Sequence, residues 1–274
     1  MIKSNPKICI VSDLDGTLLP ASKIPRPEDC QLIWKFLAET DNKFTIATGR
    51  TIQASRRYAD MLKLQSPMIV FNGGMIYHPV SGEKQILQAL PEEAKAMTAE
   101  ILKENPHVGV EVLCAEDTWV VNNTEYEKQH VRICGVTPKY GSIEEITGIW
   151  LKVLFAMSPD DMPAFMKYIA DKHFQNVDFI RSELKFYEML PVGNSKGSAL
   201  QEYRKLPGMQ DYKIIGFGDY DNDIEMLKAA DLAVCPANAA DSVRNISDLI
   251  LDRTCEEGAV SELISKIVSQ EIVL

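Results

Sequence analysis

The sequence lacks three patterns that would place it in a special class of proteins. Its cysteines are scattered, with no C-x-x-C pair and no histidine at zinc-ligand spacing; they are Cys9, Cys30, Cys114, Cys134, Cys235 and Cys255. Neither a disulfide framework nor a structural zinc site is therefore indicated. No apolar run approaches the ~20 residues needed to cross a bilayer, and internal repeats are absent. We expect a cytoplasmic protein with reduced thiols and no membrane partner.

Positive charge is also in short supply. The chain has 29 Lys and Arg against 39 Asp and Glu, which gives a net charge of −10 and a pI near 5.0. Domains that bind nucleic acid are usually basic, so we expect no nucleic-acid partner. The negative field also opposes an anionic substrate, which would need local positive charge or a metal ion for its capture.

What remains is a globular composition that can bury a sizeable core. The 274 residues are 46% apolar and 25% charged, which suits one or two domains. Near both ends of the chain, short continuous apolar runs alternate with helical patterns, and the first run is Lys7 to Ser12. This alternation predicts βαβ units and an α/β fold with a mostly parallel sheet covered on both faces.

The middle of the chain has a different pattern. Apolar and polar residues alternate over Val108 to Leu113 and Thr118 to Val121, which predicts a hairpin. A second hairpin is predicted around Ser182 and Glu183, and helices flank both. We therefore predict an inserted α+β domain at residues 80–189, and a core domain formed by residues 1–79 and 190–274.

Four polar features lie at predicted strand or helix ends. Asp13 and Asp15 follow the first strand, Thr48-Gly49-Arg50 follows the second, and Gly218-Asp219 follows a third in the C-terminal part. Lys196 opens a helix. Because ligands of open α/β sheets bind at the carboxyl ends of the strands, we expect these groups to meet in one crevice.

The chemistry of this set indicates a metal ion and a phosphate. Several carboxylates at one sheet edge repel one another unless a cation lies between them, and oxygen ligands without His or Cys favour Mg²⁺. The Thr48 hydroxyl, the Gly49 N–H and the Lys196 amine suit a phosphoryl group. Asp223 could instead serve only as a helix N-cap.

Five motifs in this order resemble the haloacid dehalogenase superfamily, in its Cof-type branch of sugar and metabolite phosphatases. They are D-x-D-G-T at Asp13 to Thr17, A-T-G-R at Ala47 to Arg50, N-G-G at Asn72 to Gly74, S-K-G-x-A-L at Ser195 to Leu200, and G-D-x-x-N-D-x-x-M-L at Gly218 to Leu227. The resemblance implies a Rossmann-like, doubly wound core and an inserted cap of the C2B type. Tyr220 departs from the small residue that many relatives carry there.

The resemblance also implies a role for each acidic residue. Asp13 would be the nucleophile and an Mg²⁺ ligand. Asp15 would be the general acid and base, with its backbone carbonyl on the metal. Asp219 would be a further metal ligand, and Asp223 would support the metal through water or orient Lys196.

The remaining site residues would face the substrate. Thr48, Gly49 and Lys196 would bind the phosphoryl group, and Asn222 would touch it. Arg50 and Asn72 are further substrate-side candidates. In the cap, side chains that could set specificity include Trp119, Arg181, Tyr187 and Glu188.

We therefore expect an Mg²⁺-dependent phosphatase that hydrolyses a small phosphorylated metabolite, such as a sugar phosphate, through an aspartyl-phosphate. A phosphomutase of the phosphomannomutase type shares this core and cap, so it stays open as an alternative. Two non-catalytic alternatives also stay open: a receiver-like phosphoacceptor and a regulator that binds sugar phosphates.

Overall fold

The computed structural model describes residues 7–272 and residue 274, and it divides the chain into two compact units. One unit, the core unit, combines the chain up to Gln85 with the chain from Ser195 onward. The other, the inserted unit, runs from Ile86 to Asn194. The predicted boundaries, after residues 79 and 189, lie a few residues before the observed ones, which follow Gln85 and Asn194. Within the described residues, no helix has the length and apolar character of a transmembrane span.

The first segment of the core unit alternates strands and helices and then adds two short strands. Its elements are β1 (Lys7–Ser12), α1 (Pro27–Glu39), β2 (Lys43–Ile46), α2 (Ile52–Leu62), β3 (Met68–Val70), β4 (Met75–Tyr77) and β5 (Lys84–Ile86). Strand β1 is buried at every position but its first, as a strand covered on both faces should be. Helix α2 begins after Thr51, whose hydroxyl accepts a hydrogen bond from the Ala54 N–H.

The inserted unit is an α+β fold around one sheet. Its elements are α3 (Ala94–Glu104), β6 (Gly109–Cys114), β7 (Thr118–Asn122), α4 (Glu125–Cys134), β8 (Lys139–Tyr140), β9 (Trp150–Ala156), α5 (Met162–Lys172), β10 (Val177–Glu183) and β11 (Phe186–Pro191). The strand order is β10-β11-β9-β6-β7-β8. Both predicted hairpins are present, because β6 pairs antiparallel with β7 and β10 with β11. The turn of the second hairpin lies at Leu184 and Lys185, two residues later than predicted.

The two faces of this sheet are covered differently. Apolar residues of α3 and α5, such as Ile101 and Phe165, pack with Val110, Val112 and Phe155 of the sheet in one hydrophobic cluster. Successive residues of a strand point to opposite faces, so Glu111 lies on the other face. Helix α4 packs there, against β6 and β9.

The second segment of the core unit completes its sheet. It adds α6 (Lys196–Tyr203), β12 (Tyr212–Phe217), α7 (Ile224–Ala229), β13 (Leu232–Cys235), α8 (Asp241–Arg244), β14 (Leu249–Ile250) and α9 (Ala259–Val268). The strand order β14-β13-β12-β1-β2 is parallel throughout, which confirms the predicted sheet. Ser12 pairs with Phe217, and a parallel bridge between Ala47 and Ile69 continues the order from β2 to β3. The carboxyl ends of β1, β2 and β12 therefore meet at one edge.

Candidate active site

Asp13 stands at the point where β1 leaves the sheet. Its backbone N–H donates to the Phe217 carbonyl at 2.8 Å, so the pairing of β1 with β12 extends to this residue. The side chain is only 5% exposed. The sheet thus holds one carboxylate in a fixed, nearly dry position at its carboxyl edge.

Lys196 lies between two carboxylates of the core unit. Its Nζ donates to Asp13 Oδ1 at 2.5 Å and to Asp223 Oδ1 at 2.6 Å, and the side chain is fully buried. The preceding Ser195 caps helix α6 by accepting the Ser198 N–H at 3.0 Å. The lysine cation thereby neutralises part of the carboxylate charge at this edge, and the two anions raise its pKa although burial opposes them.

Asp223 is held from both sides of its carboxylate. While Oδ1 accepts from Lys196, Oδ2 accepts the backbone N–H groups of Asp219 at 3.0 Å and Tyr220 at 3.2 Å. Its side chain makes no capping hydrogen bond to helix α7, so the alternative that Asp223 serves only as a helix N-cap is not supported. A Cβ at Gly218 would stand 2.5 Å from the Asp223 Cβ, so only glycine allows this close approach.

Asp219 is oriented by the loop that follows β1. The Thr17 hydroxyl donates to Asp219 Oδ1 at 2.5 Å, and a Cβ on Gly16, whose φ is +89°, would stand 2.5 Å from Asp219 Oδ2. Burial, with Asp223 and Asp15 adding to it, raises the pKa of Asp219 to about 6, although the Thr17 hydrogen bond and Lys196 oppose the rise. The D-x-D-G-T motif therefore positions a carboxylate from the other end of the chain.

The three carboxylates fit a divalent cation. Asp13, Asp219 and Asp223 each offer an oxygen, and these atoms all lie within 4.8 Å of one another. Burial raises the pKa of Asp13 well above its usual value, with Asp223 and Asp219 adding to the rise and Lys196 opposing it. A buried group of this charge is unfavourable without a cation, and an all-oxygen donor set suits Mg²⁺.

Asp15 lies in an ion-pair group of its own. Arg50 donates through Nε to Oδ2 at 2.7 Å and through Nη2 to Oδ1 at 2.8 Å, and Lys23 Nζ lies 2.8 Å from Oδ1. Burial would raise the pKa of this carboxyl, but the hydrogen bonds and charges of the two cations outweigh burial and lower it to about 2. Its carboxylate is therefore anionic here and paired with two cations.

The loop after β2 and the turn after β3 form the next part of the site. The Thr48 hydroxyl accepts the Arg50 N–H at 3.2 Å, and the Asn72 N–H donates to the Thr48 carbonyl at 3.0 Å. A Cβ on Gly49 would stand 2.6 Å from Asn72 Oδ1. Thr48, Gly49, Arg50 and Asn72, four residues predicted from sequence, are thus packed together.

Asn222 and the cap candidates are placed differently. Asn222 is exposed in a 3-10 turn, Asp221–Asp223, outside the buried group. In the inserted unit, Tyr187 belongs to the hydrophobic cluster, and Glu188 is buried with Lys152 Nζ at 3.0 Å from its Oε1. Of the two remaining candidates, Trp119 packs against that cluster and Arg181 is exposed.

Sequence reasoning missed Lys23 and Thr17 as site residues. Thr17 belongs to a recognised motif, so the motif was the available signal for its bond to Asp219. Lys23 carries no such signal. It reaches Asp15 because its backbone turns at φ 57° and its N–H bonds back to the Pro20 carbonyl at 2.9 Å.

Comparison with known proteins gives one consistent family. A family model described as haloacid dehalogenase-like hydrolase matches residues 10–264. The 5-amino-6-(5-phospho-D-ribitylamino)uracil phosphatase YitU of Bacillus subtilis is 28% identical over 255 residues, which cover 91% of this chain and 93% of that protein. The pyridoxal phosphate phosphatase YbhA of Escherichia coli is 26% identical over 260 residues, with coverage of 88% and 92%.

Solved structures share the fold. The crystal structure of a haloacid dehalogenase-like hydrolase from Bacteroides thetaiotaomicron superposes with a TM-score of 0.85 at 24% identity. The match covers 95% of this chain and 99% of that one. Both units described above therefore fall within the shared length.

Proposed function

This chain belongs to the haloacid dehalogenase-like hydrolase family and is a phosphoric monoester hydrolase, and we propose that Asp13 is its nucleophile. A carboxylate can attack phosphorus and form an aspartyl-phosphate, which splits one difficult displacement into two easier ones. One observation carries this proposal. Asp13 and Asp223 both accept from Lys196 and both lie in the three-carboxylate group, but the second oxygen of Asp223 is occupied by two backbone N–H groups, which favours Asp13.

The residues around Asp13 would hold the phosphoryl group during the attack. Lys196 would neutralise the negative charge that gathers on the phosphoryl oxygens, because its amine is already fixed beside Asp13. Thr48 and the Gly49 N–H would bind those oxygens, and Asn222 would add a contact from the 3-10 turn. These roles are supported by the positions of the loop after β2, which carries Thr48 and Gly49, and of the 3-10 turn after β12, which carries Asn222. Both follow strands at the carboxyl edge of the sheet.

Asp15 would protonate the leaving oxygen and then activate water. As it stands, Arg50 and Lys23 keep this carboxyl anionic, with a pKa of about 2, which suits a base but not an acid. An anionic substrate would compete for Arg50 and Lys23, and their release would let Asp15 take up a proton. Arg50 would therefore act on the substrate side, as would Asn72, which packs against Gly49.

Mg²⁺ would be held by Asp13 and Asp219, with the backbone carbonyl of Asp15 as a further ligand. Asp223 would support this arrangement by orienting Lys196. When bound, Mg²⁺ stabilises negative charge that develops in phosphoryl transfer.

The substrate would be a small phosphorylated metabolite, such as a sugar phosphate or a related compound. The names of the two relatives above specify a ribitylamino-uracil phosphate and pyridoxal phosphate, both of this class. The inserted unit would be the C2B-type cap that selects among such compounds. A cytoplasmic location is supported by the six cysteines, which form no disulfide in the described residues.

Replacing Asp13 by Asn tests the assignment of the nucleophile. The amide keeps the size of the side chain but cannot attack phosphorus, so hydrolysis of p-nitrophenyl phosphate with Mg²⁺ should fall by about 10³-fold or more. Asp221→Asn is a matched control, because Asp221 lies in the same loop as Asp219 but is exposed, and its carboxylate accepts a hydrogen bond from the Ser242 hydroxyl. Full activity of Asp13→Asn would contradict the proposal.

A further inference from the structure

A second polar group lies in the inserted unit, between strand β6 and helix α4, and it takes no part in the hydrolase site. His130 Nδ1 lies 2.8 Å from Glu111 Oε1, and His130 Nε2 lies 3.4 Å from Cys134 Sγ. Both ring nitrogens are therefore engaged, one by a carboxylate and one by a thiol. A nucleophile beside a base that a third group orients is the arrangement of activated thiols and hydroxyls.

The helix itself brings this group together. Glu127, His130 and Cys134 follow one another at i, i+3 and i+7, so they lie on one face of α4. Thr124 caps the start of the helix, and Gly135 ends it at φ 64°. The edge of the His130 ring also meets the Phe186 ring, at 4.9 Å between centroids, which fixes the imidazole further.

The surroundings favour a protonated imidazole. Glu111 is 1% exposed and Glu127 is fully buried. Among the described residues, Glu111 Oε2 and both carboxylate oxygens of Glu127 lack a hydrogen-bond partner. Burial lowers the pKa of His130, but the charges of Glu111 and Cys134 and their hydrogen bonds outweigh it and raise the pKa to about 10.

Glu127 is the other titratable group that faces this histidine. Burial and the neighbouring Glu111 raise its pKa to about 7, with His130 and Lys128 opposing. Its carboxylate makes no hydrogen bond within the described residues. The group thus holds one imidazolium and up to two carboxylates.

Cys134 differs from the other cysteines. It is partly exposed, whereas the remaining five are buried. Burial raises the pKa of each of those five, which are Cys9, Cys30, Cys114, Cys235 and Cys255. Buried, protonated thiols are inert, and an accessible thiol next to an imidazolium is the kind that reacts.

We propose that Cys134 is a nucleophilic thiol, paired with His130 and positioned through Glu111, that is modified by low-molecular-weight disulfides. The Cys134 sulfur would attack one sulfur of the disulfide, and the disulfide's own S–S bond would break as the new one forms. The leaving half would depart as a thiolate and take up a proton. Cys134 would be oxidised and the small disulfide reduced, so no other reactant is needed.

The test is the reaction of the full-length native protein with 5,5′-dithiobis(2-nitrobenzoate), a small aromatic disulfide whose release of thionitrobenzoate is followed by absorbance. One equivalent should react in a fast phase that Cys134→Ser removes. Cys30→Ser should keep this phase, because Cys30 is buried in helix α1. A fast phase that survives in Cys134→Ser would overturn the proposal.

Variants then separate the positioning of Cys134 from general damage to the cluster. His130→Gln should slow the fast phase by about tenfold or more, because the sulfur loses the imidazole that lies beside it and can take its proton. Glu111→Gln should slow it as well, because Glu111 orients the imidazole. Glu127→Gln is the matched control: Glu127 lies on the same helix face, but its carboxylate makes no hydrogen bond to any described residue, so the fast phase should persist. Equal slowing in His130→Gln and Glu127→Gln would contradict the assigned roles.

Discussion

Lys196 is the cation that joins two carboxylates of the site. It is fully buried and is hydrogen-bonded to both Asp13 and Asp223. The ammonium group of Lys196 compensates the negative charge of the two carboxylates, and they compensate its positive charge. Removal of one partner of a buried ion pair leaves an uncompensated charge, which costs far more than the loss of a surface pair.

Lys196→Met should therefore reduce stability as well as turnover. Without Mg²⁺, we expect the free energy of unfolding to fall by about 3–5 kcal/mol in urea titrations. Lys228→Met is the matched control, since Lys228 pairs with Glu225 at 2.9 Å on the exposed surface and should cost less than about 1 kcal/mol. Equal losses in the two variants would contradict the central place given to Lys196.

Single residues differ in how far the sequence predicts them. Asp13, Thr48 and Asp219 each follow an apolar strand, so the parallel sheet alone brings them to one edge. Lys23 was not predicted, because its contact with Asp15 depends on the path of a loop rather than on periodicity. The ion pair between Asp15 and Arg50 was missed for a related reason, because the spacing of residues in a sequence does not determine the direction of a loop side chain.

At the scale of secondary-structure elements, the close approach of two backbones limits which residue a position can accept. The turn after β3 passes the start of α6 at Gly73, where φ is +107° and an added Cβ would collide with the Ser195 carbonyl. Gly208 also has a positive φ, +79°, but nothing lies within 4 Å of its would-be Cβ. Substitution of Gly208 would therefore introduce backbone strain alone, whereas substitution of Gly73 would introduce both strain and a collision.

Gly73→Ala should destabilise the protein more than Gly208→Ala. The second change carries only the strain of a positive φ, about 1–2 kcal/mol. The first adds a collision between two backbones, about 1–3 kcal/mol more. Urea unfolding of both variants measures the difference, and losses of the same size would show that the turn and α6 do not constrain each other.

Elements with an apolar signature were predicted from sequence, and those without one were not. Strands β1 and β12 are buried apolar runs, so their pattern was clear. Helix α4 was missed because its only buried residue is Glu127, which gives no apolar periodicity. Strand β5 is exposed throughout, so it shows no apolar pattern, whereas β4 is apolar and buried but was missed because it is three residues long and directly follows the turn after β3.

At the scale of the whole molecule, the core unit depends on joining the two ends of the sequence. Strand β1 pairs with β12 across about 200 residues, and Asp13 and Asp219 follow these two strands. A net charge of −10 suits a protein that concentrates some of its carboxylates around a cation. Binding of Mg²⁺ at these carboxylates would therefore link both segments of the unit and stabilise its folded state.

Addition of Mg²⁺ should raise the unfolding free energy by about 2.7 kcal/mol at a hundredfold excess over its Kd. Asp219→Asn should remove this gain. Because the metal-free pKa of Asp219 is about 6, the proton competes with Mg²⁺ below that pH, and affinity should fall about tenfold per pH unit. Thermal unfolding with and without Mg²⁺ between pH 5 and pH 8 checks this.

The same raised pKa has the opposite effect on the metal-free protein. The folded chain holds the Asp219 proton between about pH 4 and pH 6, whereas the unfolded chain releases it. The contribution of this group to stability therefore grows as the pH falls from about 6 towards 4. An Mg²⁺-induced gain that does not weaken at low pH would contradict the assignment of Asp219.

Trapping the phosphorylated protein tests the mechanism most directly. In Asp15→Asn, water activation is lost, whereas p-nitrophenyl phosphate has a leaving group that needs no protonation. Phosphorylated protein should therefore accumulate during turnover, and acid quenching with peptide mass spectrometry should place one phosphoryl group on Asp13. Phosphate release without any phosphorylated protein, or a phosphoryl group on another carboxylate such as Asp219, would contradict the mechanism.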